Sequence, residues 1–534
     1  MKIYSRIIQL LLALCLMSCN NWLDLKPEGQ AIEKDVFSSA EGYHSVLNGL
    51  YKSMGKKDLY GMELQFGMVD CMSQQYTKDR MTHTSMAPYV AAAKFDYTSK
   101  ELTPKIEELW RLAYNIIANA NNLIQNIEKA SPDLFELGET ERRMILGEAY
   151  ACRALMHFDL LRLFAPAPVN DDGKAYVPYV DTYPEIAAKR IPVTPFLEKV
   201  ITDLETARSL EMAFDTTALG QSVSASGNSR FYNKLESGME GAASPKSIDD
   251  FYKGRGYRLS YYGVTASLAR VYQYAGKRQE AFQAARQTLE FKARGVSGVT
   301  MDMFSIDDFN GFQRTDNESK TNLKVVSNLI FAIYNEKAYT EFNLVHFFAK
   351  ASSGMYTNIW FQLDLEGQKI FLNPRNDKDE AYRDPENPWE PADIRGTDLI
   401  YRIDNWAPVS AKWYCSDNVE IRNNNVTILP VIRATEMRYI MAEEYARQGN
   451  YTEAYHILNQ IRSNRGLSEN LPEATDYATF EKDMIRDAQR EWISEGQLFY
   501  LYKRLNAAVK LGEDEIRPLS RKEYLLPVPG NQSL

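Results

Sequence analysis

The chain has 534 residues, 45% of them hydrophobic and 25% charged, which is ordinary for a globular protein and ample for a large core. Its net charge of −9 argues against nucleic acid, which would call for a basic face. One number stands out: 33 tyrosines and 7 tryptophans help make the chain 12% aromatic, and these rings combine an apolar body with a polar tip suited to surface contacts.

In chain order, the first segment reads as an export signal spanning 1–18. Lys2 and Arg6 give a positive start, Ile7 to Leu16 an apolar stretch, and Leu16-Met17-Ser18-Cys19 a lipobox. The apolar stretch is about half the roughly 20 residues that a spanning helix needs. Cys19 follows the small Ser18, so its thiol is placed for a diacylglycerol and its freed amine for a further, palmitate-type acyl chain. Two or more chains give stable anchoring, since each buried methylene contributes roughly 0.8 kcal/mol. The mature body is then 19–534. Of the remaining cysteines, Cys71, Cys152 and Cys415 form an odd set, so no disulfide framework is implied.

Ile106, Leu109, Ala113, Ile116, Ala120, Leu123 and Ile127 recur at steps of three and four and predict one face of a long helix, with Thr98-x-x-Glu101 as a capping box. A second helix carries Glu148 to Phe164 and is ended by Pro166 and Pro168. Thr194-Pro195 offers an N-cap and first-turn proline for a third, through Leu210. Tyr272-x3-Gly276-x4-Ala281 then matches Tyr445-x3-Gly449-x4-Ala454. Each copy has a helix before its glycine (Leu259 to Ala275, Val431 to Gln448) and one after (Gln279 to Phe291, Thr452 to Arg465). The glycine closes the first helix and the alanine permits close crossing, which is tetratricopeptide logic. Residues 211–250, 300–326 and 336–430 are turn-rich, with short apolar runs such as Leu329 to Ile333. The predicted fold is therefore mainly α: a tetratricopeptide-like scaffold of helical hairpins with large loop-rich insertions. Its parts are an N-terminal portion of about 19–330, an insertion of about 336–430 and a C-terminal helical portion of about 431–534.

Catalytic motifs are missing from the pattern. The five histidines (His44, His83, His157, His346, His456) share no metal-ligand spacing, and neither a phosphate loop nor a Gly-x-Ser-x-Gly elbow occurs. Asp171-Asp172, Asp249-Asp250 and Asp307-Asp308 read as solvated turn acids, and His157, beside Phe158, as a packed core histidine. Neither metal nor cofactor is expected, and no enzymatic activity. The aromatics outside the helices are Tyr76, Tyr89, Tyr339, Tyr356, Trp360, Trp389, Trp406 and Trp413. Several of these can stack on a sugar face while polar neighbours (Asn387, Arg402, Asp404, Asn405) bond its hydroxyls. Trp389, Trp406, Trp360 and Tyr76 lead as ligand-binding candidates.

With those residues in view, the chain resembles the SusD/RagB family of outer-membrane nutrient-binding lipoproteins. The resemblance rests on Cys19 followed by Trp22-Leu23-Asp24-Leu25-Lys26-Pro27, on Glu148 through Arg153 to Phe164, and on Arg190-Ile191-Pro192-Val193. It continues in Leu429-Pro430-Val431-Ile432-Arg433 to Glu436, Leu458 to Leu467, Arg490-Glu491-Trp492 with Glu495-Gly496-Gln497, and Leu526-Pro527-Val528-Pro529. Gln497 departs from the pattern, standing where the family often has Arg. The resemblance implies a lipid-anchored, surface-exposed outer-membrane protein. Such a protein captures a nutrient oligosaccharide and delivers it to a SusC-like, TonB-dependent transporter. The alternatives are a peptide-binding member of the same family and a tetratricopeptide-type protein-interaction lipoprotein.

Overall fold

The computed structural model describes residues 34–185, 187–231, 248–294, 298–306, 323–348, 359–387, 390–404, 406–415 and 419–530. The export segment, Cys19, Tyr356, Trp389, Asn405 and the Asp307-Asp308 pair lie outside the described residues.

The scaffold begins with α1 (Ala40–Met54), α2 (Thr103–Ile127), α3 (Glu139–Phe164) and α4 (Val193–Asp215). All seven apolar positions predicted for α2 are buried. The helix starts at Thr103 with Leu102 as its cap, so Thr98 and Glu101 form no capping box; the Thr98 hydroxyl donates to Asp96 instead. Likewise α4 starts at Val193 after Pro192, which places Thr194 inside the first turn rather than at the cap. α3 stops where predicted, with Ala165 already extended ahead of Pro166.

Because α3 lies between α2 and α4, nearly every face of it is covered, and its charges must find partners inside. Arg153 grips Asp203 of α4 through two bonds of 2.7 Å. Glu148 pairs with Arg255, which also reaches Glu211 and Asp215 at 2.8 Å. His157 is a core histidine: its ring stacks on Tyr179 at 3.9 Å, Nδ1 bonds the Arg153 carbonyl and Nε2 accepts from the Val180 amide.

The two predicted hairpins are present as α5 (Tyr261–Tyr274) with α6 (Arg278–Glu290), and, further along, α7 (Ala434–Arg447) with α8 (Tyr451–Asn464). Gly276 and Gly449 adopt φ of 75° and 79°. In each turn the amide after the glycine donates 2.9 Å back to the tyrosine carbonyl, Lys277 to Tyr272 and Asn450 to Tyr445. That closure explains the fixed Tyr-to-Gly spacing. Ala281 and Ala454 are buried at the crossings. α6 packs on α7, so the hairpins stack, and α9 (Tyr477–Glu491) and α10 (Leu498–Leu505) continue the array.

Strands are few and short. Between the hairpins, β1 (Leu329–Tyr334) leads into the insertion, β2 (Ile400–Ile403) and β3 (Ala407–Ser410) form a ribbon within it, and β4 (Ile428–Arg433) leads out. β1 pairs antiparallel with β4, Leu329 opposite Arg433 and Tyr334 opposite Ile428. Val431 is therefore strand, and the helix predicted to begin there begins at Ala434. Residues 335–427 thus leave and rejoin the scaffold side by side.

What holds the insertion down is buried charge. Arg395 of the insertion reaches Asp487 at 2.8 Å and Glu491 at 3.2 Å on α9, while Arg465 clasps the same Glu491 at 2.6 Å. Lys412 and Arg433 share Glu495 at 2.7 and 2.6 Å. Glu380 and Asp393 receive Arg490, and Glu380 also receives Arg462. Burial alone would raise the carboxyl groups, but for Glu491, Glu495, Glu380 and Asp393 the facing cations outweigh it and hold them below the ordinary range.

Two outcomes are expected. Arg395→Ala should cost about 3–5 kcal/mol in denaturant unfolding, because it strands buried carboxylates, whereas Arg111→Ala in the exposed pair with Glu108 should cost under about 1 kcal/mol. The second concerns acid. A carboxyl whose folded value is depressed contributes stability that is complete above its unfolded value and is lost as pH falls through the folded one. Asp70 and Glu211, raised by burial, act in the opposite sense but are outnumbered. Thermal melts should therefore fall steadily as pH drops below 4.5, the ordinary glutamate value; an unchanged Tm down to about pH 3 would contradict this.

Candidate functional site

Trp406 is, among the described residues, the exposed tryptophan: 46% of it faces solvent, against 0–6% for Trp110, Trp360, Trp413 and Trp492. It sits at the tip of the β2–β3 ribbon, where Asp404 turns the chain with φ of 51° and the Trp406 amide closes the turn on the Ile403 carbonyl at 3.1 Å. Behind it stands Trp360, ring centroids 5.8 Å apart and planes at 61°, an edge-to-face contact that fixes the indole's tilt. Arg80 comes from the early loop and places its guanidinium 5.8 Å from the Trp406 ring centroid.

The meeting of these three parts follows from backbone pairing. Residues 359–364 run between the early loop and β3: Thr77 donates to the Gln362 carbonyl at 2.8 Å, Asp364 to Gln75 at 2.8 Å, and Leu363 to Pro408 at 2.8 Å. Tyr76 bridges Leu363 in the same arrangement. Three of the four leading candidates, Tyr76, Trp360 and Trp406, are thereby brought to one locality, and the fourth, Trp389, lies outside the described residues.

Their roles differ. Tyr76 and Trp360 are each only 4% exposed, so neither offers a face to a ligand in this structure. The Tyr76 ring packs on Phe361 and its hydroxyl meets Ser494 Oγ at 3.0 Å; burial pushes its phenol well up, so it stays neutral. Trp413 is likewise internal, its indole N–H donating to the Ser494 carbonyl at 2.9 Å. Tyr89 donates to Glu63, a carboxylate also held by Lys105. These rings form the seam between insertion and scaffold and support the exposed one. Tyr339 is half-buried beneath the Arg422 guanidinium at 3.9 Å.

Of the polar candidates, Asn387, Arg402 and Asp404 are exposed on the insertion. Sequence reasoning missed Arg80, whose only signal was its place four residues after Tyr76, and Tyr382, which is 58% exposed on the insertion. The acid pairs at 171–172 and 249–250 cap turns, accepting from the amides of Gly173, Lys174 and Phe251. Among the described residues no group of His, Cys, Asp and Glu is arranged to hold a metal ion.

The arrangement is that of a helical-repeat protein presenting an aromatic surface site on an insertion. Residues 21–217 match the model of a SusD-like family described as "Starch-binding associating with outer membrane". The chain is 25% identical over 213 residues to SusD-like protein P2 of Formosa agariphila, a match spanning 39% of this chain and 38% of that relative's length. In fold it is similar to a SusD-like carbohydrate binding protein from Bacteroides vulgatus, with a TM-score of 0.62 at 16% identity over 92% of this chain and 95% of that one. A SusD superfamily protein from Bacteroides thetaiotaomicron superposes with a TM-score of 0.57 at 20% identity, over 91% and 92% of the two chains. The chain is thus similar to SusD-like proteins, by sequence in its N-terminal part and by fold across the aligned length.

Proposed function

We propose that this protein is a non-catalytic lipoprotein of the outer membrane surface that captures an oligosaccharide and passes it to a SusC-like, TonB-dependent transporter. In this reading residues 1–18 are removed, Cys19 carries the acyl anchor, and the body 19–534 stands outside the membrane. The family description and the printed names of the relatives supply the glycan and the outer membrane. The observation that carries the reading is Trp406, an indole 46% exposed at a ribbon tip, with Trp360 packed edge-to-face against it and the Arg80 guanidinium over its ring. A flat apolar ring with polar neighbours suits the C–H face of a sugar, whose hydroxyls can then reach Arg402 or Asp404 on the same ribbon. Against a tetratricopeptide adaptor, the exposed ring belongs to the insertion and not to a repeat helix.

Calorimetry of the purified protein against a panel of neutral and acidic oligosaccharides and of peptides tests the site. Burying one face of Trp406 should contribute about 1–3 kcal/mol, so Trp406→Ala should weaken glycan binding about tenfold or more. Tyr382→Ala, on the same insertion, serves as the comparison. Binding of peptides alone, or glycan affinity indifferent to Trp406→Ala with the fold intact, would count against the assignment.

The anchor has its own test. Cys19→Ala should release the protein from the membrane fraction and abolish incorporation of a radioactive fatty acid. A wild-type chain that takes up no label would refute lipidation.

A further inference from the structure

Away from the insertion, residues of α3, α5, α7, α9 and α10 line a partly open cavity of about 40 Å³ between these helices. That is room for several water-sized occupants, one of which needs roughly 10–15 Å³. Arg162, Arg270, Tyr274 and Tyr500 line it, and each is nearly or fully buried. All four carry a hydrogen-bond donor without an acceptor: Arg162 Nε, Arg270 Nη1 and the hydroxyls of Tyr274 and Tyr500. They lie close together. The Arg162 guanidinium is 3.7 Å from the Tyr500 ring centroid, and Tyr274 and Arg270 both act electrostatically on the Tyr500 phenol.

The carboxylates nearby are already used. Glu436 gives both oxygens to Arg270, at 2.7 and 2.6 Å. Asp159 gives one oxygen to Arg162 and the other to Tyr60. Gln497 Oε1 receives only a long bond of 3.4 Å from Arg162 Nη1. Buried donors of this strength are rarely left unmet. The surplus is of donors, two of them on guanidinium groups, so the fitting occupant accepts hydrogen bonds and carries negative charge. Water would bring two hydrogens of its own into a site short of acceptors.

We infer that this cavity is a binding site for a small monovalent inorganic anion of chloride size, held by Arg162, Arg270, Tyr274 and Tyr500. The anion bonds to α3, α5 and α10 at once and so ties the first hairpin to the C-terminal helices. The site is independent of the glycan reading.

The test uses the purified full chain exchanged into gluconate and melted with added chloride, bromide or sulfate at constant ionic strength. Tm should rise saturably with chloride and bromide and not with sulfate, which is too large. The double variant Tyr274→Phe, Tyr500→Phe removes only the two hydroxyls and should weaken the halide effect about tenfold, without lowering Tm in gluconate. Crystals grown in bromide should show an anomalous peak in the cavity, a readout on the wild-type chain that does not depend on the variant folding. Equal Tm in halide and gluconate, an equal rise with sulfate, or a cavity without an anomalous peak would each overturn the proposal and leave ordered water as the occupant.

Discussion

The structure depends on the buried ionic seam between the insertion and the C-terminal helices. Glu491 lies between Arg465 and Arg395, and Glu495 between Arg433 and Lys412, all of them withdrawn from water. In a medium of low polarity an isolated charge is intolerable, so each member fixes the positions of the others. The seam therefore supplies geometry more than stability. An apolar interface of equal size could slide, whereas a bidentate guanidinium on a carboxylate has one register.

The surface site inherits that register. Arg395 precedes β2 and Lys412 follows β3, so the ribbon carrying Trp406 is clamped at both ends to α9 and the residues just beyond it. The Trp413 indole bonds the Ser494 carbonyl next to the second clamp. Gly496 continues this contact: it holds φ of 69°, donates to Asp70, and a Cβ there would meet the Leu64 carbonyl at 1.9 Å. The residues around Arg490 and Gly496, which carry part of the resemblance, are thus occupied with folding. Under the proposed function, a ribbon clamped in this way would present its tryptophan without the ordering cost that a loose loop would carry on binding.

The repeat array applies the same rule on its other side. Arg153 with Asp203, and Arg255 with Glu148, Glu211 and Asp215, let α3 run buried on nearly all faces. Where the pairing is incomplete, around Arg162 and Arg270, a cavity remains.

The sequence alone determined what depends on short-range chemistry. The α2 stripe follows from 3.6-residue periodicity, the end of α3 from Pro166, and the hairpin turns from Gly276 and Gly449, because each is decided within a few residues. Boundaries failed where distant chain intervened. Val431 reads as helix locally but lies in β4, whose Pro430 and Ile432 pair with residues a hundred positions earlier, and Thr98 turned to Asp96 once Leu102 took the cap. The site was legible as a locality and not as a surface. Trp360 and Trp406 lie in similar turn-rich surroundings, and only the docking of 359–364 between the early loop and β3 buries the first and leaves the second in water. Arg80 joined Trp406 for the same reason. Exposure is a property of what packs above a residue, and for this insertion that was settled by the tertiary structure.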